Sequence, residues 1–355
     1  MKVLQIVGVN YKQGNGITVI TDELIKTLLK NNIQSELLLL KPTKYEVPYN
    51  VYVCNDNFYS FFTKKHYDLV VFHGLFYKEY VKIGRILQKK NIPYVIKPHS
   101  SLMKISHRKS FLKKKIAFQL YLNSFINKSA ALLFSNEEER LNSVFYEHKY
   151  YIETNGLNID KTLKLNKPID DDINLLFLSR LDFRHKGIDY LIAGYKKYVK
   201  KTNGKIAKLN IYGIGSKKQE NRLAKLIKEV PSITFNGPAF GKEKEKVLEN
   251  SDILMLTSRY EGFPTIFIDV LTRGIPVIVT PGTNAAYFEK EGIGWLSSLS
   301  SKSIAHTIER AVNDYIQNKS KIAQNCRNFA QNNFDIDKNI EITIQIYNDV
   351  LASIL

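Results

Sequence analysis

Short, nearly all-apolar runs recur along the whole chain, each followed by a longer stretch whose apolar side chains repeat at helical spacing. Runs at 3–9, 36–40, 68–73, 94–97, 131–135 and 150–153 come first, and runs at 173–179, 209–212, 233–235, 253–257 and 276–280 follow a break. A strand that is apolar on both sides must be covered on both sides, which is the situation of a parallel sheet flanked by helices. The break, residues 158–172, is polar and lysine-rich, contains Pro168 and Asp170-Asp171-Asp172, and reads as a linker. An α/β protein of two doubly wound, Rossmann-like domains is therefore expected, one over 1–165 and one over 170–335. Residues 336–355 follow the last strand and carry Ile340, Ile344, Tyr347, Leu351 and Ile354 at helical spacing, so this helix is expected to cross back to the first domain.

With 355 residues, 44% of them hydrophobic, the chain can bury two cores. No run reaches the roughly 18 apolar residues of a membrane span. Met1-Lys2 leads directly into the first apolar run, so no leader is read and the expected location is cytoplasmic. Cys54 and Cys326 are far apart, lack metal-ligand spacing and are expected as buried free thiols. The formal charge is +18, with the larger share of the excess in residues 1–170. Residues 104–128 hold seven lysines and arginines and no acid, interleaved with aromatic and aliphatic side chains. Such a segment suits an anionic membrane surface, and peripheral contact there is the expectation; its alternative is a helix whose apolar side faces its own core. No nucleic-acid motif accompanies the charge, so nucleic acid is not expected as a partner.

The run Ser258-Arg259-Tyr260-Glu261-Gly262-Phe263-Pro264-Thr265 leads through Asp269 to Arg273-Gly274. Pro264 suits a first helical position and Gly274 a C-terminal cap, which predicts a helix over 264–273. Glu261, Gly262, Phe263 and Thr265 then lie at the helix mouth, where free N–H groups favour phosphate and an acid can bind sugar hydroxyls. Upstream, Arg180 at a strand end and Lys186 just before Gly187 can converge on a diphosphate, one as a bidentate fork and one as a point charge. Gly213 in Gly213-Ile214-Gly215 and Gly237 after Asn236 end strands where backbone can approach a base or phosphate, or simply turn. In the first domain, Gly14-Asn15-Gly16 opens a helix and its N–H groups can hold an anion. His73 and His99 end strands at the carboxyl edge, where open α/β sheets keep their ligands, and His99 is the stronger candidate. Asn155-Gly156 is a turn or a wall of the cleft.

Together these segments resemble the family 4 retaining glycosyltransferases of the two-lobed GT-B fold. The resemblance spans nearly the whole chain, is strongest over 173–280 and is looser over 1–170. It implies two Rossmann-like domains facing a central cleft, the second binding a nucleotide-sugar donor and the first an acceptor. It implies that Arg180 and Lys186 hold and neutralise the diphosphate, that Glu261 binds donor-sugar hydroxyls, and that His99 faces the donor sugar. The family pattern Glu-x7-Glu is kept in spacing, but its second acid is Asp269, one methylene shorter, which reaches ribose after a small helix shift or through water. Gly14-Asn15-Gly16 also differs from the paired glycines common there. No metal or other cofactor is required by this arrangement. The implied activity is hexosyl transfer from a nucleotide-diphosphate sugar, a UDP-sugar, to a lipid-linked or surface-glycan acceptor of capsule, exopolysaccharide, lipopolysaccharide or teichoic-acid type. The alternatives are a non-transferring GT-B enzyme such as a nucleotide-sugar epimerase, and a non-catalytic protein binding a nucleotide sugar or an acidic polymer. Sugar, nucleobase, linkage and oligomeric state stay open.

Overall fold

The computed structural model describes all residues except 13, 55–56, 108–117, 146, 160–172, 203–206 and 354–355. The chain divides into two units, 1–158 joined by 334–355, and 159–333. The first is built on seven strands: β1 (Lys2–Val7), β2 (Gln34–Leu39), β3 (Val51–Val53), β4 (Leu69–His73), β5 (Tyr94–Lys97), β6 (Ala131–Phe134) and β7 (Tyr150–Ile152). Their order is β3-β2-β1-β4-β5-β6-β7, and every neighbouring pair is parallel. The second has β8 (Asn174–Leu178), β9 (Lys208–Tyr212), β10 (Ile233–Phe235), β11 (Ile253–Leu256), β12 (Val277–Val279) and β13 (Gly294–Leu296). Its order is β10-β9-β8-β11-β12-β13, again all parallel.

The central strands are apolar because helices cover both their faces: all residues of β4, β5, β6 and β11 are buried. Two edge strands had no expectation in the sequence. β3 (Val51-Tyr52-Val53) is half-buried to exposed and β13 (Gly294-Trp295-Leu296) opens on a glycine, so neither shows the continuous apolar run that marks the other strands. In each sheet the strand order reverses once, between β1 and β4 and between β8 and β11. A crevice opens at the carboxyl ends of the strands flanking such a reversal, which is where open sheets bind ligands.

The helix Ile336–Ala352 packs on the first unit, with Ile340, Ile346, Tyr347 and Val350 buried against Val3, Leu24, Leu28, Leu69 and Val71. Asn155-Gly156 is where this return is received. Leu157 N donates to Phe334 O at 3.0 Å and Ile336 N to Leu157 O at 3.1 Å, while a Cβ on Gly156 would stand 2.9 Å from Ile336 Cα.

The segment 104–128 falls partly on 108–117, outside the described residues. Its described parts are a helical turn Lys104–His107, a π-helical turn Phe118–Leu122 and a short helix Asn123–Asn127. Leu122, Phe125 and Ile126 are buried in the core of the first unit, whereas Leu120 is 72% exposed. That stretch of the apolar side thus serves its own core. The linker expected at 158–172 likewise lies outside the described residues from 160 onward. Cys326 is a buried free thiol, whereas Cys54 is only half-buried. Among the described residues no helix is long and apolar enough to cross a membrane.

Candidate active site

The loops after β8 and β11 flank the reversal of the second sheet, and they carry Arg180, Lys186 and Glu261. The loop after β8 begins with Arg180, which is exposed, and folds into one helical turn, Phe183–Lys186, capped by Asp182 and closed by Gly187 in the left-handed region (φ 63°). A Cβ at Gly187 would lie 2.1 Å from Thr257 O, so only glycine lets this turn lie against the end of β11. Thr257 Oγ1 donates to Lys186 O at 3.2 Å, and Arg259 forks onto Asp189 at 2.9 and 3.2 Å. Fixed in this way, Lys186 Nζ donates to Glu261 Oε1 at 2.5 Å, and Ser258 Oγ donates to the same oxygen at 2.6 Å. Lys186 and Glu261 are both buried. Burial pushes the Glu261 carboxyl up, but the Lys186 ammonium and His185 outweigh it and hold the group well below the usual carboxylate range.

His185, Ser258 and Asn284 had no assigned role in the sequence. His185 Nε2 donates to Tyr260 O at 2.6 Å, its ring stacks on Tyr260 at 4.3 Å, and its Nδ1 accepts from Arg180 Nη2 at 3.4 Å. It therefore joins Arg180 to the Glu261 loop. The signal was its place between Arg180 and Lys186. Asn284, buried and left-handed (φ 53°), donates from Nδ2 to Glu261 O at 2.7 Å and so holds the backbone of that loop. An asparagine in a Pro-Gly-Thr-Asn turn tolerates that conformation, which was the available clue.

The helix expected from Pro264 starts instead at Ile266 and runs to Thr272. Phe267 N and Ile268 N bond to Pro264 O and Thr265 O at 3.1 and 3.0 Å, so the chain enters the helix through tight turns that begin at Pro264 and Thr265. Gly262, Phe263 and Pro264 are buried and Thr265 is half-buried. Gly274 does adopt the left-handed conformation of a C-terminal stop (φ 75°). Asp269 lies on this helix, half-buried, and receives Lys244 Nζ at 2.6 Å. Gly213 ends β9 where a Cβ would come 2.0 Å from Ser179 O, so close backbone packing alone requires that glycine.

In the first unit, Gly14 is exposed and left-handed (φ 77°), and Gly16 begins the helix Gly16–Lys30. Asn15 Oδ1 accepts from Ile17 N at 3.0 Å as the helix cap, and Asn15 N, one of the loop N–H groups expected to hold an anion, donates to Lys12 O at 3.3 Å. His73 is fully buried, with Nε2 2.8 Å from Gln5 Oε1 and Nδ1 2.9 Å from His99 Nε2. Burial, reinforced by Lys97, pushes His73 down to about 3, and burial with His73 and Lys97 keeps His99 neutral as well. Lys97 itself pairs with Glu153 at 3.1 Å in the interior. Among the described residues there is no group of three or more His, Cys, Asp or Glu side chains able to hold a metal ion.

Residues 172–314 match the family model described as glycosyl transferases group 1. An uncharacterized glycosyltransferase of Methanocaldococcus jannaschii is 25% identical over 276 residues, 72% of this chain and 69% of the relative. The Escherichia coli UDP-Gal:alpha-D-GlcNAc-diphosphoundecaprenol alpha-1,3-galactosyltransferase is 28% identical over 109 residues, 30% of this chain and 28% of its own. Among solved structures, Anabaena HepE in complex with UDP superposes with a TM-score of 0.76 at 15% identity, over 98% of this chain and 100% of that one. The chain thus has the GT-B fold and is a homologue of glycosyltransferases.

Proposed function

We propose that this protein is a retaining hexosyltransferase that uses a nucleotide-diphosphate sugar, a UDP-sugar, and delivers the hexose to a lipid-linked or surface-glycan acceptor. The reading is carried by the buried Lys186–Glu261 pair, tied by Ser258 and placed where the strand order reverses. An ammonium donates up to three hydrogen bonds, so Lys186 can keep Glu261 and still reach a phosphate oxygen. Arg180 joins it on the diphosphate, Glu261 accepts from sugar hydroxyls, and Asp269 with its partner Lys244 meets the ribose. The strand-end backbone at Gly213 lines the nucleotide. Residues 170–335 form the donor domain in this reading. Residues 1–165 with 336–355 form the acceptor domain, to which Gly14, Gly16 and His99 belong. Support for UDP comes from the HepE complex, and for a lipid-linked acceptor from the printed name of the E. coli relative.

In the reaction the bond from the anomeric carbon to the β-phosphate oxygen breaks, and a bond to the acceptor oxygen forms on the same face. The acceptor's proton passes to the departing phosphate. Lys186 and Arg180 meet the charge that grows on that phosphate in this reading, which is the stabilisation that lowers the barrier. No resident metal or other cofactor enters this scheme. The protein is placed in the cytoplasm, held at the inner membrane face by the basic segment 104–128.

The deciding experiment incubates the purified protein with UDP-, GDP- and ADP-sugars and scores released nucleotide, wild type against Lys186→Ala and Glu261→Ala. Release from one donor class that both variants abolish supports the reading; release unaffected by either variant removes the site assignment. Formation of an epimer without transfer would favour the epimerase alternative. Flotation with anionic and neutral vesicles tests the membrane part, and equal indifference to both removes it.

A further inference from the structure

His99 is held in an unusual way for a residue at a strand end. It and Ser100 are consecutive non-glycine residues in the left-handed region, at φ 48° and 67°. Each such residue costs on the order of 1 kcal/mol or more and persists only where the surroundings over-determine it. Here the surroundings are a buried carboxylate: Glu139 Oε1 accepts from Ser100 N at 2.6 Å and Oε2 from Ser135 N at 2.9 Å. The clamp presses the His99 ring onto His73, with centroids 5.2 Å apart and planes 18° from parallel.

The hydrogen bonds have a direction. With the Gln5 amide turned so that Oε1 faces the ring, that oxygen can only accept, and in this arrangement His73 carries its proton on Nε2. A neutral His73 then has a bare lone pair on Nδ1, and His99 Nε2, 2.9 Å away, must donate to it. Thr21 Oγ1, on the helix Gly16–Lys30, lies 3.5 Å from the same Nδ1. We infer that His73 is a positioning residue: it fixes His99 as the neutral Nε2–H tautomer and leaves His99 Nδ1 as a hydrogen-bond acceptor for a hydroxyl of the transferred sugar. This rests on the reading of His99 as a donor-sugar contact. Among the described residues His99 Nδ1 has no hydrogen-bond partner. The charged groups nearby also favour a neutral pair. Lys97 on β5 opposes a second cation, and its neighbour Glu153 on the β7 side is already neutralised by it. Glu139 is spent on two backbone N–H groups.

The tautomers are read directly by long-range proton–nitrogen correlation on the full-length chain with nitrogen-labelled histidine, without any donor. The expected result is His99 with a protonated Nε2 and a bare Nδ1, unchanged between about pH 6 and 8, the range in which an ordinary histidine titrates. His73→Asn retains an acceptor near the Nδ1 position and is expected to preserve this signature. His73→Phe removes the acceptor, and His99 is then expected to populate both tautomers. For nucleotide release from whichever donor the panel identifies, His73→Phe should lower kcat about 10- to 100-fold, by analogy with partners that orient metal-bound histidines, with KM little changed and His73→Asn near wild type. A protonated Nδ1 on wild-type His99, or a His99 signature and kcat untouched by His73→Phe, overturns the inference. Should His73→Phe not fold, Gln5→Met removes the carbonyl that fixes the relay and must likewise mix the tautomers. If no sugar nucleotide turns over, the transferase reading fails, while the tautomer measurements still decide the role of His73.

Discussion

Lys186 and Glu261 stabilise each other only as a pair. Each is about 10% exposed at the side chain, and a buried charge stripped of its partner costs about 3–5 kcal/mol. Lys186→Met is therefore expected to lower stability by about 3 kcal/mol, the low end because Ser258 and His185 still serve Glu261. Lys186→Met with Glu261→Gln should recover most of that in denaturant unfolding, since no uncompensated charge remains. Neither variant should release nucleotide, because loss of one such donor alone raises a barrier by about 3–4 kcal/mol. The pH dependence has a definite sign. Glu261 has a folded-state value depressed below its unfolded one, so its contribution is present above the unfolded value and is lost as pH falls toward the folded one. The stability gap between wild type and Glu261→Gln should be flat from pH 7 to about 5 and close only below about 4, near the ordinary glutamate range. A gap that closes at neutral pH would mean that Lys186 does not hold the carboxylate ionised.

At the scale of elements, the site depends on two loops being laid against each other with almost no spare space. Gly187 and Gly237 are both left-handed, at φ 63° and 77°, but a Cβ at Gly187 meets Thr257 O at 2.1 Å whereas one at Gly237 meets nothing within 4 Å. Gly237→Ala should cost only the conformational penalty, about 1–2 kcal/mol. Gly187→Ala must in addition push the Phe183–Lys186 turn off β11, so its melting temperature should fall further and its nucleotide release with it. Equal effects in thermal unfolding would contradict the close packing. Central strands were legible because burial on both faces leaves a continuous apolar run. The edge strands β3 and β13 and the delayed start of the helix Ile266–Thr272 were not, since a half-exposed strand and one opening on glycine show no continuous apolar run, and a turn of bonds onto Pro264 and Thr265 resembles a first helical turn in sequence.

For the whole molecule, the chain leaves its first unit at residue 158 and returns to it at 334. Ile340, Ile346, Tyr347 and Val350 of the returning helix are at most 4% exposed, and burying each such side chain contributes about 1.5–3 kcal/mol. A chain ending at residue 333 should therefore lose several kcal/mol in the first unit, visible as a lowered or missing thermal transition or as aggregation. An unchanged unfolding profile would mean that the helix is dispensable. The amino-acid pattern alone was enough to determine two parallel α/β sheets, a returning helix, and a cation-and-carboxylate segment pair, because alternation, caps and glycines act within a few residues. Tertiary structure decided which groups meet. Lys186 and Glu261 are separated by 75 positions, and His73 and His99 by 26, so their contacts and the direction of their protons exist only after crossover connections bring separate strand ends side by side. Local propensity cannot encode that, since it carries no information about which loop will lie against which.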